Sequence, residues 1–518
     1  MSLKPAATLT ESLAELVSSA ARRWPEDIAV SCGDRRLTYG QLDRAVAGIA
    51  ADLAERGLQP GDPVAVMAGI GLEFAVLAHA VLRAGGVLVP IGADSPAREA
   101  ATLLRTAKVE LVLCDSRRTG VAKDAAALYD RGCGVVTLDA GALRTKGDIL
   151  SLRRLTEARQ APASPARVGA GTPAVVLFTS GSTAKPKAVV HTHESLLYNA
   201  RCVAYEMIGL KRRDVMLGLL PLAHSFGLSA VLNTSLLVGC RLELLPEFDA
   251  AAAWRLVLSR EITVLTGVPT MYRRIAELRE ATRNTDLRLG IVSGAPCPRR
   301  VARDVRLRLG IPMIERYGMT EASPLTWRTL EADTAEGDVG WPGWGVRLRV
   351  VGDDGRPLPP GRRGQVEVQS PGMLQRYLGA ADTRELLKEG WLATGDLGTI
   401  RIDGGLTLGG RQKEVIIRGG FTVSAAEVEA ALTQHPTVAE AVVVGLPDPD
   451  MGEDIAAMVV LKPGRTTEAA ELWRFLGERL AAHKRPRRWR IVQELPRTAL
   501  GKVMREEVIR SWAPAGQE

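Results

Sequence analysis

Apolar positions along the first two thirds of the chain alternate between two rhythms. Leu42, Val46, Ile49, Ala50 and Leu53 recur at helical spacing and stop near Gly57, which predicts an amphipathic helix ended by a glycine. The unbroken run PVAVMAG follows, then a helical stretch from about Glu73 to Arg83, then GGVLVPI. The same exchange continues through VELVLCD, GVVTLD and AVVLFTS, and again through CRLELLP, a helix near 252–260, TVLTGVP and RLGIVSG. Short apolar runs separated by helices predict parallel strands covered by helices on both faces. After about Trp341 the runs shorten and are parted by DG and GG pairs, which signal hairpins. A last unit reads strand, helix (AAEVEAALTQ), strand, strand, helix (Glu468 to Ala482), strand. The expected fold is α/β, with a large N-terminal domain of two parallel-rich, helix-covered sheets plus a barrel-like subdomain. A small α+β C-terminal domain follows. The boundary is placed between 1–412 and 413–518.

Composition narrows the function. The 518 residues suit about three folding units, and 46% apolar with 24% charged residues suits a soluble protein with a large core. The net charge of +8 is mild, basic residues do not cluster, and aromatics make up 4%. A nucleic-acid groove is therefore not expected. Six cysteines without a C-x-x-C pair fit reduced thiols in the cytoplasm rather than a disulfide framework or zinc site. The N-terminal segment MSLKPAATLTES has no apolar signal core. Val215 to Cys240 is 26 residues without a charged side chain, long enough to cross a bilayer. It is interrupted by Pro221, His224, Ser225, Ser229, Asn233, Thr234 and Ser235, so a buried strand leading into a buried helix is expected, and no membrane span.

The chemistry begins at LFTSGSTAKPKAVVHTH, Leu177 to His193. A strand runs into a loop of hydroxyls, backbone N–H groups and cations, which suits a polyphosphate. Thr179, Ser180, Gly181, Ser182, Thr183 and Lys187 are its candidate ligands. No G-K-[ST] opens a helix, so it is not a Walker A loop, and alone it reads equally well as a polar turn. Downstream stand YGMTE (Tyr317 to Glu321), TGD (Thr394 to Asp396), RQKEVIIRGG (Arg411 to Gly420) and LPRTALGK (Leu495 to Lys502).

In this order and spacing the motifs resemble the adenylate-forming superfamily, and within it the acyl-CoA synthetase branch. The resemblance runs from LTYGQL (Leu37 to Leu42) to Lys502. It implies an enzyme that joins a carboxylate to ATP, releases pyrophosphate, and then lets a thiol, often that of coenzyme A, displace AMP. Carried over by motif, Thr320 contacts the α-phosphate and Glu321 holds Mg²⁺, which commonly bridges phosphates with one carboxylate. Tyr317, Gly318, Gly294 and Ala295 lie beside the nucleotide, Asp396 meets the ribose hydroxyls, and Arg411 sits near ribose and phosphate. Lys502 is the point cation of adenylation, and Lys413 is the hinge on which a mobile C-terminal domain turns. The turn brings Arg418, Gly419 and Gly420 to coenzyme A, with the two glycines permitting close backbone approach.

The acyl pocket implied by the resemblance holds His224, Phe226, Gly227, Val268, Met271, Ser293, Gly294 and Met319. No Asp or Glu occurs between Val215 and Leu242, so an amino acid's ammonium would lack a partner there. A hydrophobic carboxylic acid, fatty, aryl or otherwise bulky, is expected instead. The segment SGAPCP (Ser293 to Pro298) is one residue shorter than the commoner family pattern. GLPDPDMGE (Gly445 to Glu453) favours a CoA ligase over a carrier-protein loader. The basic stretch His483, Lys484, Arg485, Arg487, Arg488 reads either as a contact for coenzyme A phosphates or as a solvated helix end.

One departure stands out. The phosphate loop has Ala184 and Ala188 where the family pattern has glycines. At positive φ an alanine costs on the order of 1 kcal/mol, and its methyl group could obstruct the β- and γ-phosphates. Thioester formation is thus expected to be the more secure half-reaction. The alternatives are a non-adenylating acyl-AMP:CoA acyltransferase fed by a partner adenylating enzyme in a specialised biosynthetic pathway, a carrier-protein loader, a luciferase-type oxygenase, and a non-catalytic acyl-adenylate-binding protein.

Overall fold

Thr38 opens the first long helix, Tyr39–Glu55, by accepting from the Gln41 N–H while the Gln41 side chain accepts from the Thr38 N–H. This reciprocal pairing satisfies two of the donors that a helix start leaves open. The apolar positions read from the sequence, Leu42, Val46, Ile49, Ala50 and Leu53, are all buried. The computed structural model describes residues 12–129, 132–140, 148–157, 164–179, 186–259, 261–280, 285–331, 335, 337–379, 387–411, 415–496 and 503–512.

Two sheets organise the N-terminal lobe. The first has eight strands in the order Arg376–Tyr377, Lys187–Thr192, Pro173–Thr179, Val87–Ile91, Pro63–Met67, Leu111–Asp115, Gly134–Asp139, Ile149–Ser151. Its pairs are parallel except the two that Lys187–Thr192 makes. The second sheet is built on the parallel strands Arg241–Leu244, Val215–Gly218, Val264–Gly267, Leu289–Val292 and Met313–Met319. It then continues antiparallel through Ala322–Leu330 and Asp338–Pro342. The short strands predicted after Trp341 are present, and Asp338–Pro342 joins them to this sheet, which has 14 strands in all. The largest apolar cluster fills the space between the sheets, with Val64, Val66 and Leu113 from one side and Met216, Leu242 and Ile291 from the other.

The uncharged run from Val215 folds as expected, into strand Val215–Gly218 and the helices Phe226–Asn233 and Thr234–Val238. Every residue of 227–240 is buried, and among the described residues no helix is long and apolar enough to cross a membrane. All six cysteines are free.

Residues 415–512 form a separate five-stranded sheet with two apolar clusters of its own. The helix expected over 468–482 ends early, as Ala469–Gly477. Gly477 is a poor helix residue, and the Ala481 N–H is taken by Glu99 Oε2 at 2.8 Å, a side chain of the N-terminal lobe.

Candidate active site

The phosphate loop joins two antiparallel strands whose last rung pairs Thr179 with Lys187. Ser180, Gly181, Ser182, Thr183 and Ala184 lie outside the described residues, as do Lys413 and Lys502. Lys187 Nζ stands 5.3 Å over the Tyr377 ring, and the Tyr377 hydroxyl donates to Glu321 Oε1 at 3.0 Å. Burial and the adjacent Glu321 carboxylate raise the Tyr377 pKa, so the phenol remains a donor. The end of the loop and the acid assigned to magnesium are thereby joined through one tyrosine that the sequence motifs did not single out.

Ala188 corrects part of the loop reading. It is a strand residue paired with Phe178, its carbonyl accepts from the Leu378 N–H at 2.9 Å, and it is not among the positive-φ residues. Its methyl group is 1% exposed in an apolar cluster with Val176 and Val190. An alanine there is neither strained nor placed to obstruct a phosphate, so any effect of the loop's departures rests on Ala184.

Thr320 and Glu321 are the two residues at the tip of the hairpin formed by Met313–Met319 and Ala322–Leu330. The tip is pinned from below. His191 Nε2 donates to the Thr320 carbonyl at 2.7 Å, and His191 Nδ1 meets Ser195 Oγ at 3.2 Å. Burial pushes the His191 pKa down to about 4, which keeps the ring neutral with its proton on the nitrogen facing the carbonyl. Sequence reasoning missed His191 because its partner is 129 residues away.

Tyr317, Gly318 and Met319 are half-buried along the strand that ends at this tip. The Tyr317 hydroxyl donates to Asp396 Oδ2 at 2.5 Å, drawing YGMTE and TGD into one wall. Asp396 is buried, and its backbone pairs across the sheet with Arg411. The residues assigned to ribose and α-phosphate are thus brought together.

The acyl candidates flank the same wall. Val268 caps the helix Pro269–Ala276, which carries Met271. Ser293 Oγ donates to the Arg316 carbonyl at 3.0 Å. Gly294 and Ala295 follow Ser293 at the rim, and His224, Phe226 and Gly227 begin the helical segment opposite. The C-terminal lobe closes over them. Gly419 and Gly420, at φ +56° and +84°, turn the chain between Val415–Arg418 and Phe421–Ser424, as a two-residue hairpin with both central residues left-handed requires. The turn projects into the cleft, where a β-carbon on Gly420 would lie 2.3 Å from Val268 Cγ1. A β-carbon on Gly294 would lie 3.2 Å from the Gly420 carbonyl oxygen. Phe421 packs edge-on to His224 with centroids 5.1 Å apart and stacks on His483 at 4.2 Å. His224 is open to cleft solvent yet enclosed by both lobes. That enclosure, with the neighbouring His483 and Lys484, lowers its pKa and favours the neutral ring.

Two basic positions differ from expectation. Arg418 does not reach the cleft: its side chain is 2% exposed, with Nε 2.9 Å from Asp454 and Nη1 donating to the His483 carbonyl at 2.9 Å. It braces the lobe from inside. Lys484 is neither a solvated helix end nor free for phosphates. Burial alone would lower its pKa, but Glu99 and Glu427 on either side outweigh that and raise it. Its Nζ pairs with Glu99 of the opposite lobe and, at 2.9 Å, with Glu427. His483 Nδ1 lies 3.4 Å from Asp94. His483 and Lys484 form a latch between lobes.

Arg316 is a further residue the motifs did not single out. It precedes Tyr317, shares a strand face with Ile314, and is 5% exposed. Its guanidinium carbon stands 4.9 Å over the Phe226 ring and Nη2 donates to Ser323 Oγ, while Nε and Nη1 have no hydrogen-bond partner. Burial lowers its pKa to about 10, still high enough to leave it charged near neutral pH. The acyl side is therefore not wholly apolar. A lone arginine inside the otherwise inward-facing IERYGM strand was the available signal.

No cluster of three or more acidic, histidine or cysteine side chains suited to a metal occurs among the described residues. Glu321, buried beside Tyr377 and Lys187, fits the single carboxylate with which magnesium on a polyphosphate is usually held.

The AMP-binding enzyme family model matches residues 17–378, and the AMP-binding enzyme C-terminal domain model matches 427–502. A feruloyl-CoA synthase of an Amycolatopsis species is 33% identical, over 95% of this chain and 97% of that protein. A double mutant of o-succinylbenzoate CoA synthetase from Bacillus subtilis, bound with a product analogue, superposes with TM-score 0.84 at 27% identity, covering 96% of this chain and 98% of that one. ATP-bound MatB from Rhodopseudomonas palustris superposes with TM-score 0.70 at 30% identity, covering 96% and 99%.

Proposed function

The chain belongs to the AMP-binding enzyme family, in its acyl-CoA ligase branch, and from that membership we propose that its interlobe cleft converts a carboxylic acid into its coenzyme A thioester through an acyl-AMP. In the first step a carboxylate oxygen attacks the α-phosphorus of ATP and pyrophosphate departs. Lys187 and the Thr320 hydroxyl face the phosphates, Asp396 takes the ribose hydroxyls, and Tyr317 holds Asp396 in place. Glu321 would hold magnesium, which when bound offsets phosphate charge. Lys502 supplies the cation that lets two anions approach.

In the second step the thiolate of coenzyme A attacks the acyl carbon and AMP leaves. Rotation about Lys413, between a 1–412 domain and a 413–518 domain, exchanges Lys502 for the Gly419–Gly420 turn. The single observation that carries this reading is that turn, seated against Val268 and Gly294, two residues assigned to the acyl pocket. All six cysteines being free suits a cytoplasmic setting.

Both half-reactions belong to this chain, with Ala184 the one departure left to weaken the first. Ferulate and o-succinylbenzoate, the acids in the relatives' names, differ in whether a second carboxylate is present, so kinship does not choose the acid. Incubation with ATP, magnesium, coenzyme A and a panel of acids, read by mass spectrometry, tests the reading. Matched amounts of AMP and acyl-CoA are expected. Acyl-CoA formed only from synthetic acyl-AMP, with silent pyrophosphate exchange, would instead assign the protein as an acyltransferase fed by a partner enzyme.

A further inference from the structure

We propose that the acid taken by this cleft carries a second anionic group, a carboxylate or comparable oxyanion, at the end remote from the activated carboxyl, and that Arg316 receives it. The inference rests on the ligase reading above and narrows its substrate class.

Arg316 lies four residues before Thr320 on the strand that leads to the reaction tip, and its neighbours Phe226 and Ser293 are acyl-side residues. Of the three arginines buried below a tenth exposure among the described residues, Arg83 faces Asp43 and Arg418 faces Asp454. Among the described residues Arg316 faces no carboxylate. The titratable group that acts on it is Cys202, whose thiol burial pushes up to about 12 and so keeps neutral.

A buried guanidinium left without a counter-charge is unfavourable, and removing one partner of a buried pair is among the costlier changes a fold can suffer. Here no such partner stands among the described residues, while the surroundings are arranged to hold the cation in one place. The Phe226 ring face attracts it, and Ser323 takes one hydrogen of Nη2. The Nη1 hydrogens and the Nε hydrogen remain unused. The edge between Nη1 and Nη2 has the spacing of the two oxygens of a carboxylate and binds it bidentately. A neutral hydroxyl or ketone could accept one of these hydrogens but would leave the charge uncompensated. An anion satisfies both needs, and the low-dielectric wall of Phe226 strengthens the pairing.

The test compares monoacids with diacids of the same skeleton and length, using wild-type enzyme, Arg316→Met and Arg316→Lys, with acyl-CoA read by mass spectrometry. A second readout is the melting-temperature shift that each acid produces in the presence of AMP. Wild type is expected to favour diacids in kcat/KM by about 100-fold or more. Arg316→Met should lose roughly that factor toward diacids and gain toward monoacids, reversing the order, and Arg316→Lys should retain part of the preference. The ligand-free Met variant should melt no lower than wild type, because it removes an unpaired buried charge. The diacid-induced shift should vanish in it. A wild-type preference for monoacids would overturn the proposal. So would an equal loss for both acid classes in Arg316→Met, which would place Arg316 at the reacting carboxyl or in the scaffold. Should no acid yield acyl-CoA while diacids still raise the melting temperature only when Arg316 is present, the ligase reading falls and the anion site stands.

Discussion

Gly420 packs against Val268 of the opposite lobe, and Gly420→Ala is expected to separate the two half-reactions. The added β-carbon would lie 2.3 Å from Val268 Cγ1 and 3.1 Å from Val268 Cβ, against about 3.5–4.0 Å for ordinary carbon contacts. Forcing a methyl group into such a contact costs about 1–3 kcal/mol. The left-handed backbone at φ +84° adds strain of about 1–2 kcal/mol for alanine. The hairpin carries that strain in any orientation of the lobe, so it drops out of the comparison between half-reactions. Only the collision with Val268 is specific to the closed arrangement. At about 1.4 kcal/mol per tenfold, thioester formation from acyl-AMP should slow roughly 5- to 150-fold, while pyrophosphate exchange changes little. Trimming the obstacle with Val268→Ala in the Gly420→Ala background should restore most of the lost rate, a coupling that a double-mutant cycle measures directly. Equal slowing of both half-reactions, or no rescue by the second substitution, would refute the role assigned to this contact.

Four further outcomes are expected. Tyr317→Phe removes the donor held 2.5 Å from Asp396, and should raise KM for ATP about 5- to 10-fold in pyrophosphate exchange with kcat nearly unchanged. Glu315, which accepts from the Cys297 N–H at 2.8 Å, has its pKa raised by burial from 4.5 to about 7. A raised folded-state pKa gives stability that is full below the unfolded value and lost as pH rises through the folded one. Melting temperature should therefore fall between about pH 4.5 and 7, by on the order of 3 kcal/mol of stability, and Glu315→Gln should flatten that profile. Ala188→Gly should lower stability by about 0.5–1 kcal/mol without raising pyrophosphate exchange. Ala184→Gly is the reversion expected to raise exchange if the loop departs from its relatives in function.

Local order was readable where a residue's role is set by its sequence neighbours. The helix Tyr39–Glu55 and the parallel strands follow from periodicity and backbone preference alone. The union of Tyr317 with Asp396 could be anticipated only through the motifs, because 79 residues separate them. What escaped is tertiary. Lys484 finds Glu99 385 residues away, so a lysine in a basic run that looks solvated becomes a half-buried latch. Arg418 sits in a motif that suggests ligand contact, yet Asp454 draws it into the lobe. Ala188 was read as part of a loop because of its place in a pattern, and the strand register shows it as core. Arg316 escaped because a cation's lack of a partner is visible only once every neighbour has been placed.

The most direct test of the central claim is a rapid-quench single turnover with enzyme in excess, an accepted acid, ATP and magnesium, with coenzyme A added after a delay. Enzyme-bound acyl-AMP should accumulate with one equivalent of pyrophosphate, then fall as AMP and acyl-CoA rise together. Release of ADP, or thioester appearing without prior acyl-AMP, would contradict the two-step chemistry assigned to the cleft.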